Sequence, residues 1–392
     1  MRKVVIVSAK RTPIGSFMGQ LSSLKVTELG KIVIQALLDE CKINKDDIDE
    51  VIMGNVLPAG VGQAPARQAA LASGLPDKTE CLTINKMCGS GLKAVMLADQ
   101  AIKCGDADTI IAGGMESMSN APYLIPGARS GYRLGNATLI DSMVTDGLWD
   151  VYNDIHMGSC AEKCAKDFNF SREELDQFAI ESYNRVIEAQ SNHIFDDEIV
   201  PVNIVERRKE FTVSVDEEPG NVKFEKIPNL RPAFKKDGVI TAANASKIND
   251  GAAALLVMSE EKALALGLKP LVEIISQASA ALAPIDFPLA PASAIKNAIS
   301  KTDLDLKDID IFEINEAFAV VSLAVNKLLD LDTSKVNVNG GAIALGHPIG
   351  ASGARILATL IHQMKRDNLK YGLASLCIGG GEGSTVIVKN YS

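Results

Sequence analysis

The chain repeats itself, and that repetition limits its folds more than any other feature. Lys45-Asp46-Asp47-Ile48-Asp49-Glu50-Val51 is echoed by Leu306-Lys307-Asp308-Ile309-Asp310-Ile311-Phe312. Ile84-Asn85 leads into a glycine-rich turn and an amphipathic run, and Val338-Asn339 leads into Gly340-Gly341 and another. Each half then closes on an apolar strand that reads as capped by glycines, at 109–114 in the first and 376–381 in the second. Strand and helix patterns alternating within a repeated unit predict two similar α/β halves. Residues 119–245 differ in character. They carry turn signals (Pro122, Pro126-Gly127, Gly131, Pro219-Gly220, Pro232) and one clear helix pattern over about 171–190, opened by the N-cap signature Ser171-Arg172-Glu173-Glu174. The expected division is 1–118 with 246–270 as an N-terminal half, 119–245 as an inserted loop domain, and 271–392 as a C-terminal half.

Composition narrows the function class. The 392 residues are 47% hydrophobic and 23% charged, enough for a substantial core. A net charge of −9 argues against a nucleic-acid partner, although a local lysine cluster can still meet an anionic small molecule. The apolar run Val4-Val5-Ile6-Val7 is too short for a leader and reads as a first strand. No stretch approaches the roughly 18 apolar residues of a membrane span, so no membrane partner is expected. Seven cysteines, odd in number and without the spacing of a disulfide scaffold, predict reduced thiols in a cytoplasmic setting. Cys160 and Cys164 are four apart, a spacing that would share one face if the segment were helical, but no His/Cys pair accompanies them, so zinc is not expected.

The chemistry-bearing residues sit on glycine-rich turns. Cys88 lies in Met87-Cys88-Gly89-Ser90-Gly91, between a strand pattern and a helix pattern with Leu92, Val95, Met96 and Ile102 on one face. A lone cysteine is usually inert packing. A thiol at a helix N-terminus, beside glycines that let another molecule approach, is instead expected to be an activated nucleophile with its thiolate favoured. Asn315-Glu316-Ala317-Phe318-Ala319 follows a strand pattern, where the Asn reads equally as a helix cap. His347 lies in Gly346-His347-Pro348-Ile349-Gly350-Ala351-Ser352-Gly353, held in a tight loop as a base would be. No Gly-Lys-Ser/Thr follows, which removes the phosphate-loop reading. Cys377-Ile378-Gly379-Gly380-Gly381 again sets a thiol beside main-chain N–H groups, which can stabilise an oxyanion.

These four motifs, in this order and over essentially the whole chain, resemble those of the thiolase family. The resemblance implies a thiolase-like α/β fold: two halves, each with a five-stranded mixed sheet, packed as five layers (αβαβα) with an inserted loop domain. It implies Cys88 as the acylated nucleophile and His347 as the base that deprotonates it. Asn315 would hold a water that helps stabilise the enolate, and Cys377 would be the general acid/base. The N–H groups of Cys88 and Gly379 would form an oxyanion hole. Ile155-His156-Met157-Gly158 is similar to a signature of short-chain members. By the same resemblance Leu148, His156, Met157, Phe234, Ala242, Ser246, Phe287, Ala317 and Phe318 line the coenzyme A channel. Lys226 would meet the nucleotide end; near it some relatives carry Arg where this chain has Asn221. Asp286-Phe287-Pro288-Leu289-Ala290-Pro291 matches the mitochondrial-type acetoacetyl-CoA members, although Ile378 stands where the closest of those have Asn. Some of them bind K⁺ at positions corresponding to Tyr183, Ala242, Ala243, Ala245 and Ile343. The implied activity is condensation of two acetyl-CoA to acetoacetyl-CoA, with coenzyme A as substrate and product and no required cofactor. The alternatives are a broad-chain-length degradative 3-ketoacyl-CoA thiolase and, from another class, a non-catalytic acyl-CoA or lipid-binding protein on the same scaffold. Acyl-CoA partners and a homotetramer, with an arm around 123–139, are the family expectation.

Overall fold

The computed structural model describes residues 2–206 and 209–391. Strands β1 (Val4–Arg11), β2 (Glu50–Gly54), β3 (Glu80–Ile84), β4 (Thr109–Ser117) and β5 (Asn249–Ser259) align in the order β1-β5-β4-β2-β3. Strands β6 (Val272–Ala281), β7 (Ile311–Ile314), β8 (Tyr371–Ile378) and β9 (Glu382–Asn390) repeat it as β6-β9-β8-β7. A parallel bridge from Phe312 to Val336 stands beside β7 where β3 stands beside β2. The echoed sequences become equivalent pieces: a 3-10 turn at Lys45–Asp47 before β2, and another at Leu306–Asp308 before β7. The two sheets are not separate. β1 pairs antiparallel with β6 through Val5–Glu273 and Ile6–Val272, so one continuous sheet crosses the molecule.

Period-two alternation in the strands decides the layers. In β4, Ile110 and Ala112 enter the central core while Ile111 enters the core on the opposite face. In β9, Val386 and Val388 face the centre and Ile387 faces outward. Helices α1 (Val26–Cys41) and α2 (Pro65–Ala72) cover one outer face, Val33 and Leu37 packing with Val51 and Leu256. Helix α3 (Ser90–Cys104), amphipathic as its spacing predicts, ends at Gly105, whose φ of +86° is the left-handed cap position. In the loop segment, α4 (Met157–Phe168) was not expected from the sequence, whereas α5 (Arg172–Ser191) starts at the Ser171/Glu174 capping box as predicted. Helices α6 (Ala290–Ile299) and α7 (Ala319–Leu329) cover the other outer face; the short α8 (Ala342–Leu345) precedes α9 (Ser352–Arg366). Leu92 and Val95 of α3 pack with Leu357 and Ile361 of α9 between the sheet halves. Among the described residues no helix is long and apolar enough to cross a membrane.

The middle helices meet at their N-terminal ends, and glycine is what lets them. A Cβ on Gly353 would lie 2.4 Å from the Leu92 nitrogen, and one on Gly91 would lie 2.8 Å from the Ala354 nitrogen. The same close approach corrects the reading of Gly113 and Gly114 as a strand cap. Both lie inside β4, and a Cβ on Gly114 would sit 2.0 Å from the Gly350 oxygen. Gly114 is small because the loop at Gly350 presses on the strand, and Gly113 because the paired strand β5 does, a Cβ there lying 2.1 Å from the Ala253 oxygen.

Gly353→Ala is expected to lower the unfolding free energy in urea by about 1–3 kcal/mol, because backbone on both sides resists the added methyl. Gly220→Ala, at a site with nothing within 4 Å, should stay within about 0.5 kcal/mol of the parent. Equal denaturation midpoints for the two variants would contradict this contact.

Candidate active site

Strand β3 delivers the chain to a turn that aims Cys88 inward. Met87 sits at φ +48°, in the left-handed region. The turn is closed by Gly89 N–H donating to the Lys86 carbonyl (3.0 Å) and Ser90 N–H to the Met87 carbonyl (3.0 Å). The Ser90 hydroxyl accepts from the Lys86 N–H (2.8 Å) and donates to the Met87 carbonyl (2.6 Å). Gly89 leaves room for the Ile378 side chain, whose Cδ1 would lie 2.4 Å from a Cβ there, and Ile378 adjoins Cys377. Burial pushes the Cys88 thiol up to about 11, against the opposing pull of the Gly379 N–H and its own N–H. The expectation of a resting thiolate at the helix end is therefore corrected. Helix α3 begins only at Ser90, and desolvation outweighs the dipole.

His347 is fixed from both sides. Its N–H donates to Asn249 Oδ1 (2.9 Å), and the preceding Gly346, at φ +111°, leaves room for that amide. Its Nδ1 lies 2.5 Å from Ser352 Oγ, whose own proton goes to the Pro348 carbonyl (2.9 Å). The hydroxyl therefore accepts, the proton sits on Nδ1, and Nε2 keeps a lone pair with no protein partner. Burial, with a smaller push from Arg355, lowers the imidazole to about 3, so it rests neutral. Cys377, at the end of β8, is 1% exposed, and burial holds its thiol well above the usual range.

Cys88, His347, Cys377 and Gly379 line one cavity of about 250 Å³. Leu148, His156, Met157, Phe234, Ser246, Phe287, Ala317 and Phe318 also line it, together with Met118, Gly147, Ala245, Lys247, Ile248 and Ile349. His156 stacks on Phe234 at 4.6 Å, and Phe318 takes Phe234 and Phe287 edge-on at 6.3 Å each. His156 also caps α4, its Nδ1 accepting from the Gly158 N–H (3.0 Å). Asn315 is not on the wall. It is buried behind it, with Arg355 Nη2 on its carbonyl (3.5 Å) and its Nδ2 unpartnered. Lys226 and Ala242 are exposed and also off the wall, contrary to expectation. The loop around 242–246 turns only its Ala245–Ser246 end inward, pinned by Ser246 N–H to the Ala317 carbonyl (2.9 Å).

Of the residues considered for K⁺, two have their carbonyls already taken by a lysine ammonium. The Ala245 and Ile343 carbonyls accept from Lys247 Nζ (3.0 and 3.5 Å), and that ammonium lies 5.7 Å from the centre of the Tyr183 ring. Ala243 is buried and Ala242 faces outward. Among the described residues no group of His, Cys, Asp and Glu could hold a metal. Cys160 and Cys164 are buried in the core.

Sequence reasoning missed several residues that build this site. Glu116, buried at the end of β4, accepts from the N–H groups of Val56, Leu57 and Gly350 and from Asn55 Nδ2, at 2.7–3.2 Å. Burial raises it to about 7. It ties the His347 loop to the first half. Glu316, next to Asn315, does the same on the other side, accepting from Ser182 Oγ (2.7 Å), Asn337 Nδ2 (2.9 Å) and Ile343 N–H (3.3 Å). Ser352 was visible five residues after His347, but only folding turns its hydroxyl back.

Comparison with known proteins places the chain in context. A model of the thiolase N-terminal domain matches residues 4–261, and one of the thiolase C-terminal domain matches 268–390. An acetyl-CoA acetyltransferase of Cupriavidus necator is 52% identical over 391 residues, covering 99% of this chain and 100% of that one. The crystal structure of a Bacillus anthracis acetyl-CoA acetyltransferase superposes with a TM-score of 0.97 at 43% identity, covering 100% of this chain and 99% of that one. An Ascaris suum thiolase in complex with coenzyme A superposes at 0.95 with 46% identity, each chain covered completely.

A neutral thiol beside a neutral imidazole has a pH signature. Only the thiolate is alkylated, and a raised pKa means its fraction keeps growing as pH rises. Iodoacetamide labelling of Cys88, read by peptide mass spectrometry, is expected to accelerate through neutrality with no plateau below about pH 9. A plateau already reached near pH 6 would show a pre-formed ion pair instead.

Proposed function

The chain belongs to the thiolase family, and on that premise we propose that it joins two acetyl-CoA molecules into acetoacetyl-CoA and free coenzyme A, reversibly, through an acetyl group carried on Cys88. One observation carries the reading: two thiols, an imidazole with a free Nε2 and main-chain N–H groups face the same small apolar cavity. A binding protein needs an apolar slot but no such set of proton carriers.

The steps follow from those groups. His347 Nε2 takes the Cys88 proton as the sulfur attacks the acetyl carbonyl, so thiolate forms only when it is used. The carbonyl oxygen, now anionic, is met by the Cys88 and Gly379 N–H groups in a dry site where such bonds count most. The departing coenzyme A thiolate takes the Cys377 proton, leaving acetyl-Cys88, His347 as imidazolium and Cys377 as thiolate. A second acetyl-CoA then gives its α-proton to Cys377. The enolate oxygen is stabilised by His347 and by a water held by Asn315, whose unpartnered Nδ2 has that donor free. The carbanion attacks acetyl-Cys88, Cys88 leaves, and His347 returns its proton. Coenzyme A is substrate and product, and no resident cofactor is invoked.

The aromatic enclosure of Phe234, Phe287 and Phe318 with Met157 supports a short acyl group. Lys226, exposed on the turn Phe224–Asn229, is left to the nucleotide end of the substrate, where its charge would meet phosphate. Residues 119–245 act as the loop domain of the division given above, supplying Leu148, His156, Met157 and Phe234 to the wall. Their exposed Tyr123, Ile125, Leu134 and Leu139 suit the arm of a homotetramer. A cytoplasmic setting and a place in lipid metabolism are part of the same proposal.

The two thiols should separate under mutation. Cys88→Ala is expected to form no acyl-enzyme from acetyl-CoA. Cys377→Ala should still acylate Cys88 but lose condensation by at least about a thousandfold, because nothing else takes the α-proton. Intact-protein mass and steady-state condensation check both. Normal condensation by Cys377→Ala would overturn the division of roles.

A further inference from the structure

Lys247 is the one charged side chain among the described residues that line the cavity, and it is placed unlike a surface lysine. Its ammonium donates to the Ala245 carbonyl (3.0 Å) and approaches the Ile343 carbonyl (3.5 Å). The Tyr183 ring faces it at 5.7 Å, within reach of a cation–π contact. Among the described residues no carboxylate lies within ion-pair distance. Glu218 acts on it only through space, its own oxygen accepting from Asn249 Nδ2 (3.4 Å). The side chain is half-buried, and that burial lowers the ammonium to about 8. Main-chain carbonyls and a ring face, without a counter-charge, are how a bare monovalent cation is held.

We infer that Lys247 is a tethered cation: its ammonium fills a carbonyl-lined cradle that would otherwise need a free monovalent ion, and so pins the cavity wall to the His347 loop. The two carbonyls explain the pinning. Ala245 belongs to the wall loop and forms an isolated bridge to Phe318, while Ile343 lies in α8, four residues before His347. One ammonium therefore holds Ser246 and the catalytic loop at a fixed spacing. Lys247 is in this sense a positioning residue, and the ligand class of the cradle is K⁺ or ammonium when the side chain is removed. The inference rests on how the wall is built and not on the reaction assigned to it.

The test compares the parent with Lys247→Ala in KCl, ammonium chloride and choline chloride at one ionic strength. Melting temperature reads cation binding without turnover. The parent should melt alike in all three salts. Lys247→Ala should melt lower in choline and recover several degrees in K⁺ or ammonium, as expected when an ion binds only the folded state. Thiolysis of acetoacetyl-CoA by the variant should fall about tenfold in choline, mainly through KM, and recover at least partly with the small cations. Lys247→Met, which keeps the stem and removes the charge, should lose activity without recovery, because the stem blocks the cradle. It also serves if the alanine variant does not fold. A parent stabilised by K⁺ over choline would overturn the inference. So would a Lys247→Ala protein whose melting and activity ignore the salt, or a Lys247→Met protein as active as the parent. If neither parent nor variant turns over substrate, the melting comparison still decides.

Discussion

The close approach of α3 and α9 is the constraint on which the rest depends. Each helix belongs to one half, each starts from a reactive turn, and each can touch the other only because Gly91 and Gly353 carry no side chain. That contact brings the Cys88 turn of one half to the His347 loop of the other. Glu116 and Glu316 then fasten the loop on both flanks, each through several hydrogen bonds to main chain and side chains. Buried carboxylates are costly unless their lone pairs are met, and here they are met by the segments that must not drift.

The electrostatics of the site follow from its depth. Burial keeps the three reacting groups neutral at rest: the two thiols are pushed up and the His347 imidazole down. Charge appears only during reaction, where the waiting donors stabilise it more than water would. Behind the wall the pattern reverses. Arg11 is fully buried against Glu198 (2.5 Å) and Asp216 (2.6 Å), both of which accept from its guanidinium. Paired charges brace the scaffold while the cavity itself holds only Lys247.

How much of this could be read in advance depended on the range of the signal. The echo of residues 45–51 in 306–312 is local, and local pattern became equivalent turns and strands. Helix α5 was legible because its capping box is written in consecutive residues. The motifs around Cys88, His347 and Cys377 were legible as sharp turns because glycine marks them. What stayed hidden required a partner far along the chain. Gly114 looked like a cap because Gly350, which presses on it, is more than two hundred positions away. Helix α4 was obscured by glycine and by a start that uses a histidine ring as its cap. Lys226 and Ala242 sit off the cavity because the path of their loops is set by tertiary contacts, which spacing does not encode. Lys247 had no sequence mark at all: a lysine after Ala245-Ser246 reads as solvated until two carbonyls and a ring are seen around it.

The central claim, a short acyl group passed through Cys88 in a small apolar cavity, is tested most directly by rapid-quench mass spectrometry. The protein is mixed with acetoacetyl-CoA or with a long-chain 3-ketoacyl-CoA in the presence of coenzyme A, and the mass on the Cys88 peptide is followed beside product release. The account predicts an acetyl adduct on Cys88 that forms and decays at the rate of turnover, and fast cleavage of the four-carbon substrate only. Comparable turnover of the long chain would contradict the short-acyl reading of the cavity, and turnover without any adduct on Cys88 would contradict the chemistry.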